Sequence, residues 1–262
     1  MSNFGLWNET KMIKKQIPNC ITLANLLCGV LSVYCIYNDA VKIPFITASL
    51  LIILGAIFDF FDGFVARLLR VSSSIGKELD SLADLITFGL APSLLAVEIV
   101  KNTSDTPYIH LIPLCMVLMS AYRLAKFNID ERQTTSFIGL PTPANALLWL
   151  SIPLLQYLAN EKIHLWGLYS EQMYMGIVNF LSSHYFICIG SILMAILLVS
   201  ELPMFSLKFK NFSWKDNKIK FGFLLSCVIL LFVFNCFAIP FIVLTYILVS
   251  IITNLIKKWN ST

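Results

Sequence analysis

An all-α, polytopic integral membrane bundle is the fold class this sequence predicts, and three observations predict it. Of the 262 residues, 58% are hydrophobic and only 13% charged, a balance outside that of soluble globular domains. Several apolar runs approach or exceed the roughly 20 residues that cross a bilayer as helix, the one open-ended element that satisfies its own backbone in lipid. The 19 Lys and Arg residues are spread unevenly along the segments between those runs, as they are in membrane proteins.

The first 16 residues, MSNFGLWNETKMIKKQ, set Phe4, Leu6, Trp7, Met12 and Ile13 among Lys11, Lys14 and Lys15. That mixture predicts an N-terminal amphipathic helix lying in the interface and argues against a cleavable signal segment. A transmembrane core follows over residues 17–200. Its first span is expected over 19–37 and its second over 43–69, with Asp59 and Asp62 in the last third. A third begins near Leu79, which places Asp80 and Asp84 in its first turns. Further spans are expected over 109–127, 141–158 and 177–200. Residues 201–220 form a basic loop, and 221–262 a C-terminal transmembrane hairpin whose two helices meet with almost no loop near Pro240.

Eight spans put both chain ends on one side. In that arrangement the opposite side receives only Lys42, Lys101 and Lys162 of the 19 basic residues. Because Lys and Arg concentrate in cytoplasmic loops, both termini and the acidic segment are expected to face the cytoplasm.

Metal or redox chemistry built on sulfur or imidazole is not expected. The seven cysteines stand singly in apolar runs without a CxxC spacing, and His110, His164 and His184 are scattered.

The chemistry is concentrated in residues 59–84, DFFDGFVARLLRVSSSIGKELDSLAD. Charge this close to apolar spans is costly and marks function. On an ideal helix Asp59 and Asp62 point about 60° apart, and Asp80 and Asp84 about 40° apart, so each pair shares one helix face. A turn near Gly76 brings the two helices back antiparallel and the two pairs together. Four carboxylates converging in a low dielectric repel one another unless cations hold them. Oxygen-only ligands suit Mg2+ or Mn2+, and two such ions fit four carboxylates, a device for phosphoryl transfer. Gly63 and Ala66 leave one helix face bare for a flat ligand, and Arg67 can pair with a phosphate.

The pattern D-x2-D-G-x2-A-R-x8-G-x3-D-x3-D is met in full by Asp59, Asp62, Gly63, Ala66, Arg67, Gly76, Asp80 and Asp84. It resembles the signature of the CDP-alcohol phosphotransferases. The resemblance implies a six-helix core after an interfacial helix, with the last two spans as an extension. It also implies a reaction in which an alcohol attacks the β-phosphorus of a CDP-linked lipid and CMP departs. Asp59, Asp62, Asp80 and Asp84 would hold metal, and Asp84 would also take the alcohol proton as the catalytic base. Gly63, Ala66, Arg67 and Gly76 would receive the cytidine nucleotide, with Asn25 of the first span facing it.

The fragments IPNCITLANLLCG, GKELDSLADLITFGLAP, YRLAKFN and FIGLPTPANA are most like the serine-using branch of that family. They imply CDP-diacylglycerol and L-serine as substrates within a membrane of phospholipids. A zwitterionic acceptor needs a cation for its carboxylate. Arg123 is the candidate, with Asn128 and the loop around Gly139 closing over it. A homodimer is a family-level expectation, and no nucleic-acid partner is expected. Two other readings stay open: a sister enzyme using glycerol phosphate, inositol phosphate or choline, and a divalent-cation transporter. A transporter would place its acidic site near the bilayer midplane, often on repeated or broken helices. Here the carboxylates fall toward span ends and no repeat is visible.

Overall fold

A computed structural model describes residues 2–130, 137–161, 171–204, 214–234 and 237–259 of the chain. It is helical throughout apart from one pair of two-residue strands, and its long apolar helices make the protein an integral membrane protein.

Helix α1 (Ser2–Ile36) is continuous through Pro18, so the segment expected as a separate interfacial helix is the first part of a 35-residue rod. Helix α2 (Pro44–Leu69) begins on a proline, whose missing N–H costs nothing at a first helical position. It ends at Arg70, which takes a left-handed conformation (φ 52°) and returns its N–H to Ala66 and Arg67.

Helix α3 (Ser74–Asp84) starts five residues earlier than Leu79, where the sequence placed the third span. The Ser73 hydroxyl caps it by accepting from the Gly76 N–H at 2.9 Å. Asp80 and Asp84 therefore lie in its later turns. The same rod continues through a π-helical segment, Leu85–Leu90, into α4 (Ala91–Thr103). Single π turns inside α-helices are uncommon and recur at functional sites. A 3-10 segment, Ile109–Leu114, leads into α5 (Cys115–Ile129).

Strand β1 (Phe137–Ile138) precedes α6 (Thr142–Asn160), and α7 (Glu171–Leu181) is followed by α8 (His184–Val199). The sequence predicted one span over 177–200. Instead α7 and α8 bend by 54°, at Ser182 and Ser183, where the Ser183 hydroxyl caps α8. Strand β2 (Pro203–Met204) pairs antiparallel with β1, and α9 (Trp214–Phe234) and α10 (Ala238–Trp259) close the chain. Pro240 lies within the first turn of α10 rather than between the helices. Lys208 and Lys210 of the expected basic loop lie outside the described residues.

Among the described residues six helices are long and apolar enough to cross a membrane, or seven if the bent α7–α8 pair is one span, where the sequence predicted eight. The difference falls on α6. It has the length of a span, but Thr142, Asn145 and Ser151 dilute its apolarity. Eleven of its 19 residues are buried and only Leu147 and Asn160 are exposed, so it has little lipid to satisfy.

Helix α1 packs along both α2 and α3, and the π segment crosses onto α1 and α2. Two glycines permit that crossing. A Cβ on Gly29 would meet the Thr87 hydroxyl at 2.5 Å, and one on Gly55 would meet the Thr87 methyl at 2.6 Å. Small residues let helix backbones approach in lipid, where packing replaces the hydrophobic drive between helices. This approach sets the aspartates of α2 against those of α3.

Candidate active site

The motif aspartates converge at one end of α2 and α3. Single carboxylate oxygens of Asp59, Asp62 and Asp80 all lie within 4.8 Å of one another. Asp84, one turn beyond Asp80, comes within side-chain reach of Asp59 and within the electrostatic field of Asp80. The sequence-predicted quartet is thus brought together, with three members forming the tight cluster and the fourth beside it.

Asp62 is buried, and its Oδ2 accepts a 2.6 Å hydrogen bond from the Thr22 hydroxyl of α1. Asp84 Oδ1 is buried without a hydrogen-bond partner among the described residues. Unpaired buried oxygens are costly, and crowded carboxylates more so. A divalent cation relieves both conditions. The all-oxygen donor set suits a hard ion, so these residues fit a divalent metal held by Asp59, Asp62 and Asp80.

A cleft of about 210 Å³ opens beside this cluster. Its walls come from Lys15, Asn19 and Thr22 of α1, Asp62, Gly63 and Ala66 of α2, and Gly76, Lys77 and Asp80 of α3. A Cβ on Gly63 would meet only the Arg67 guanidinium, at 3.5 Å, so nothing else in the fold fills that face. Gly76 is held differently: a Cβ there would strike Ser73 and Asn19 below 3.0 Å, so it is small because α1 and α3 touch. Arg67 is exposed near the rim and does not line the cleft.

Arg123, on α5, is only 8% exposed. Its guanidinium lies in the field of Asp84 and of Tyr246 on α10, and its Nε has no partner among the described residues. A cation buried this deeply at a helix end is more than a topology signal.

The remaining predicted residues are placed elsewhere. Asn25 is fully buried one turn beneath the cluster, against Gly55, and does not line the cleft. Asn128 ties α5 to α3: its amide donates to Ser81 at 3.0 Å and Glu78 at 3.3 Å, and its carbonyl accepts from Lys77 at 2.6 Å. Gly139 sits at φ +78° with its N–H donating to the Leu202 carbonyl at 2.9 Å, which makes it a turn residue of the β1–β2 strap.

Thr22, Lys15, Lys77 and Tyr246 were not singled out as site residues from the sequence. Thr22 had a readable signal, because Asn19, Thr22 and Asn25 repeat at three-residue spacing in an apolar run and so form one polar stripe on α1. Lys15 reaches the cleft only because α1 is unbroken through Pro18. The position of Tyr246 depends on how α10 docks, which no local pattern encodes.

Comparison with known proteins extends across this core. Over 128 residues the chain is 41% identical to a Bacillus subtilis (strain 168) protein named CDP-diacylglycerol--serine O-phosphatidyltransferase, covering 48% of this chain and 69% of that one. It is 31% identical over 225 residues to a protein of the same name from Helicobacter pylori (strain J99), covering 85% and 82% of the two chains. A Methanothermobacter thermautotrophicus archaetidylserine synthase is 32% identical over 159 residues, 59% of this chain and 60% of that one. A model of the CDP-alcohol phosphatidyltransferase family matches residues 15–181, the stretch that contributes every aspartate of the cluster. The chain therefore belongs to the CDP-alcohol phosphatidyltransferase family.

Proposed function

We propose that this protein transfers the phosphatidyl group of CDP-diacylglycerol to the hydroxyl of L-serine, giving phosphatidylserine and CMP. The observation that carries the reading is the position of Asp84. It adjoins the Asp59–Asp62–Asp80 cluster and lies in the field of the buried Arg123. A base beside a phosphate site and a cation in reach of that base are what an amino-acid alcohol requires. The names of the relatives, from bacterial and archaeal sources, support the same acceptor.

In this reading the nucleotide end of the donor enters the cleft, where the bare face at Gly63 and Ala66 admits it and Lys15 and Lys77 oppose its phosphate charge. Arg67 meets it at the rim. Asp59, Asp62 and Asp80, with Asp84 alongside, would hold the divalent ions, which we take to be two Mg2+ or Mn2+. Bound there, such ions would supply charge neutralisation on the phosphate oxygens.

Arg123 receives the serine carboxylate and so directs the serine hydroxyl toward Asp84. Asp84 takes the hydroxyl proton as the oxygen bonds to the β-phosphorus, and the bond from that phosphorus to the bridging oxygen breaks. CMP leaves with the electron pair. Asn128 and Gly139 serve here by fixing the α3–α5 seam and the strap around the acceptor. The lysine distribution supports an orientation with this end of the bundle and both termini at the cytoplasmic face, where CMP and serine are soluble.

Labelled L-serine, glycerol phosphate, inositol phosphate and choline, each offered with CDP-diacylglycerol to the purified protein, test the reading. Label entering lipid from serine alone is the expected result. Incorporation of another alcohol would change the acceptor, and metal flux into liposomes without any CMP release would replace the enzyme with a transporter.

A further inference from the structure

We infer that Lys77 couples the two halves of the site, so that a nucleotide in the cleft strengthens binding of the acceptor at Arg123. This role as a positioning residue rests on the proposed serine transfer and adds to it a reciprocal dependence between donor and acceptor.

Lys77 lines the cleft together with Asp62, Gly63 and Asp80. Carboxylates share those walls, yet its ammonium bonds to a neutral group. Its Nζ donates to the main-chain carbonyl of Asn128 at 2.6 Å, across 51 residues of sequence. Among the described residues no ion pair joins Lys77 to Asp62, Glu78 or Asp80, so its charge is left for another anion. An ammonium carries three donors, and one can stay on the Asn128 carbonyl while the others meet a phosphate in the cleft. That carbonyl belongs to the last turn of α5, where carbonyls lack helical partners and the helix dipole favours a cation.

Asn128 is where α5 is pinned to α3. Besides accepting from Lys77, it donates through its side-chain amide to Ser81 and Glu78. Deeper in the bundle the same two rods meet again: a Cβ on Gly89 of the π segment would lie 3.2 Å from the Ser120 Cβ. The rods run antiparallel between these two fixed points, with Ser81, Asp84 and Gly89 on one and Asn128, Arg123 and Ser120 on the other. Arg123 and Asp84 therefore both fall in the interval that the two contacts enclose. At the cleft end, the register of α5 depends in part on Lys77. Lys77 is exposed and its four-carbon stem is flexible. A phosphate in the cleft would fix that stem while the ammonium still holds Asn128. With α5 anchored more firmly, less ordering is left for the acceptor to supply when it binds Arg123.

The test is equilibrium binding of labelled L-serine to the purified full chain in Mg2+, with and without CMP. In the wild type CMP is expected to tighten serine roughly tenfold, within the usual range of coupling between sites, and serine to tighten CMP by the same factor. In Lys77→Met the serine affinity without CMP stays that of the wild type, and the enhancement by CMP disappears. Lys77→Arg keeps the cation and retains most of the enhancement. No enhancement in the wild type, or an undiminished one in Lys77→Met, would overturn the inference while leaving serine transfer intact. So would a Lys77→Met protein in which serine is weakened equally with and without CMP, the mark of a lysine that only braces the fold. A wild-type protein without serine-dependent CMP release from CDP-diacylglycerol would overturn the underlying reaction, and this role for Lys77 with it.

Discussion

The Thr22 hydroxyl lies 2.6 Å from Asp62 Oδ2, linking the first helix to a carboxylate of the aspartate cluster on the second. The same hydroxyl is 3.1 Å from the Pro18 carbonyl one turn back. Asp62 is thereby held in one rotamer, with its other oxygen left for the cluster.

Thr22→Val keeps the shape and removes that hydrogen bond. Groups that orient metal ligands are typically worth about 10–100-fold in metal affinity or activity. The concentration of Mn2+ or Mg2+ giving half-maximal turnover should rise by that order in Thr22→Val and return close to wild type in Thr22→Ser. Equal metal dependence in all three proteins would show that Thr22 only packs.

Asp84→Asn preserves the side chain's volume and removes its basicity. General-base assistance commonly contributes about 10²–10⁴ in rate, so turnover should fall by at least that range while the detergent-solubilised protein keeps its helical signal. Near-normal turnover in this variant would remove Asp84 from the chemistry.

Gly55→Ala tests the close crossing that assembles the site. The new methyl would stand 2.6 Å from the Thr87 Cγ2, deep in the bundle. We expect a lower thermal midpoint and a weaker metal response, since α2 must shift away from the π segment to accept it. Thr87→Ser removes the struck methyl and should recover part of both losses. If the double variant is no better than the single, the crossing is not what Gly55 protects.

Gly139→Ala addresses the strap. Its positive φ disfavours any Cβ, and the added atom would lie 2.5 Å from the Leu198 carbonyl. Strain of this kind costs about 1–3 kcal/mol. The thermal midpoint should drop by several degrees while the metal dependence stays that of the wild type, because the strap does not touch the aspartate cluster. A changed metal dependence would place Gly139 closer to the chemistry than its contacts do.

The acidic site was legible in the sequence because its spacing is local. Asp59 with Asp62, and Asp80 with Asp84, share helix faces by the 3.6-residue period alone, and the structure gathers three of them within 4.8 Å. The membrane class was equally legible from composition. Less could be read where the answer depends on tertiary contact. The bend at Ser182 and Ser183 follows from a cap that an apolar window overlooks. Helix α6 tolerates polar residues because neighbours, not lipid, surround it. Asn25 reads as a ligand-facing polar residue in an apolar run, yet its depth beneath Asp59 is set by the Gly29 and Gly55 crossing. Arg123 and Tyr246 lie more than a hundred residues apart in sequence, and only the docking of α10 brings the tyrosine into the field of the guanidinium.

The most direct test of the account is CMP release by the purified protein in vesicles containing CDP-diacylglycerol, with and without L-serine, before and after chelation of divalent ions. Release should require both serine and Mg2+ or Mn2+, stop with chelator, resume when metal is restored, and yield phosphatidylserine in equal amount. Release that persists after chelation, or that proceeds without producing phosphatidylserine when serine is present, would contradict it.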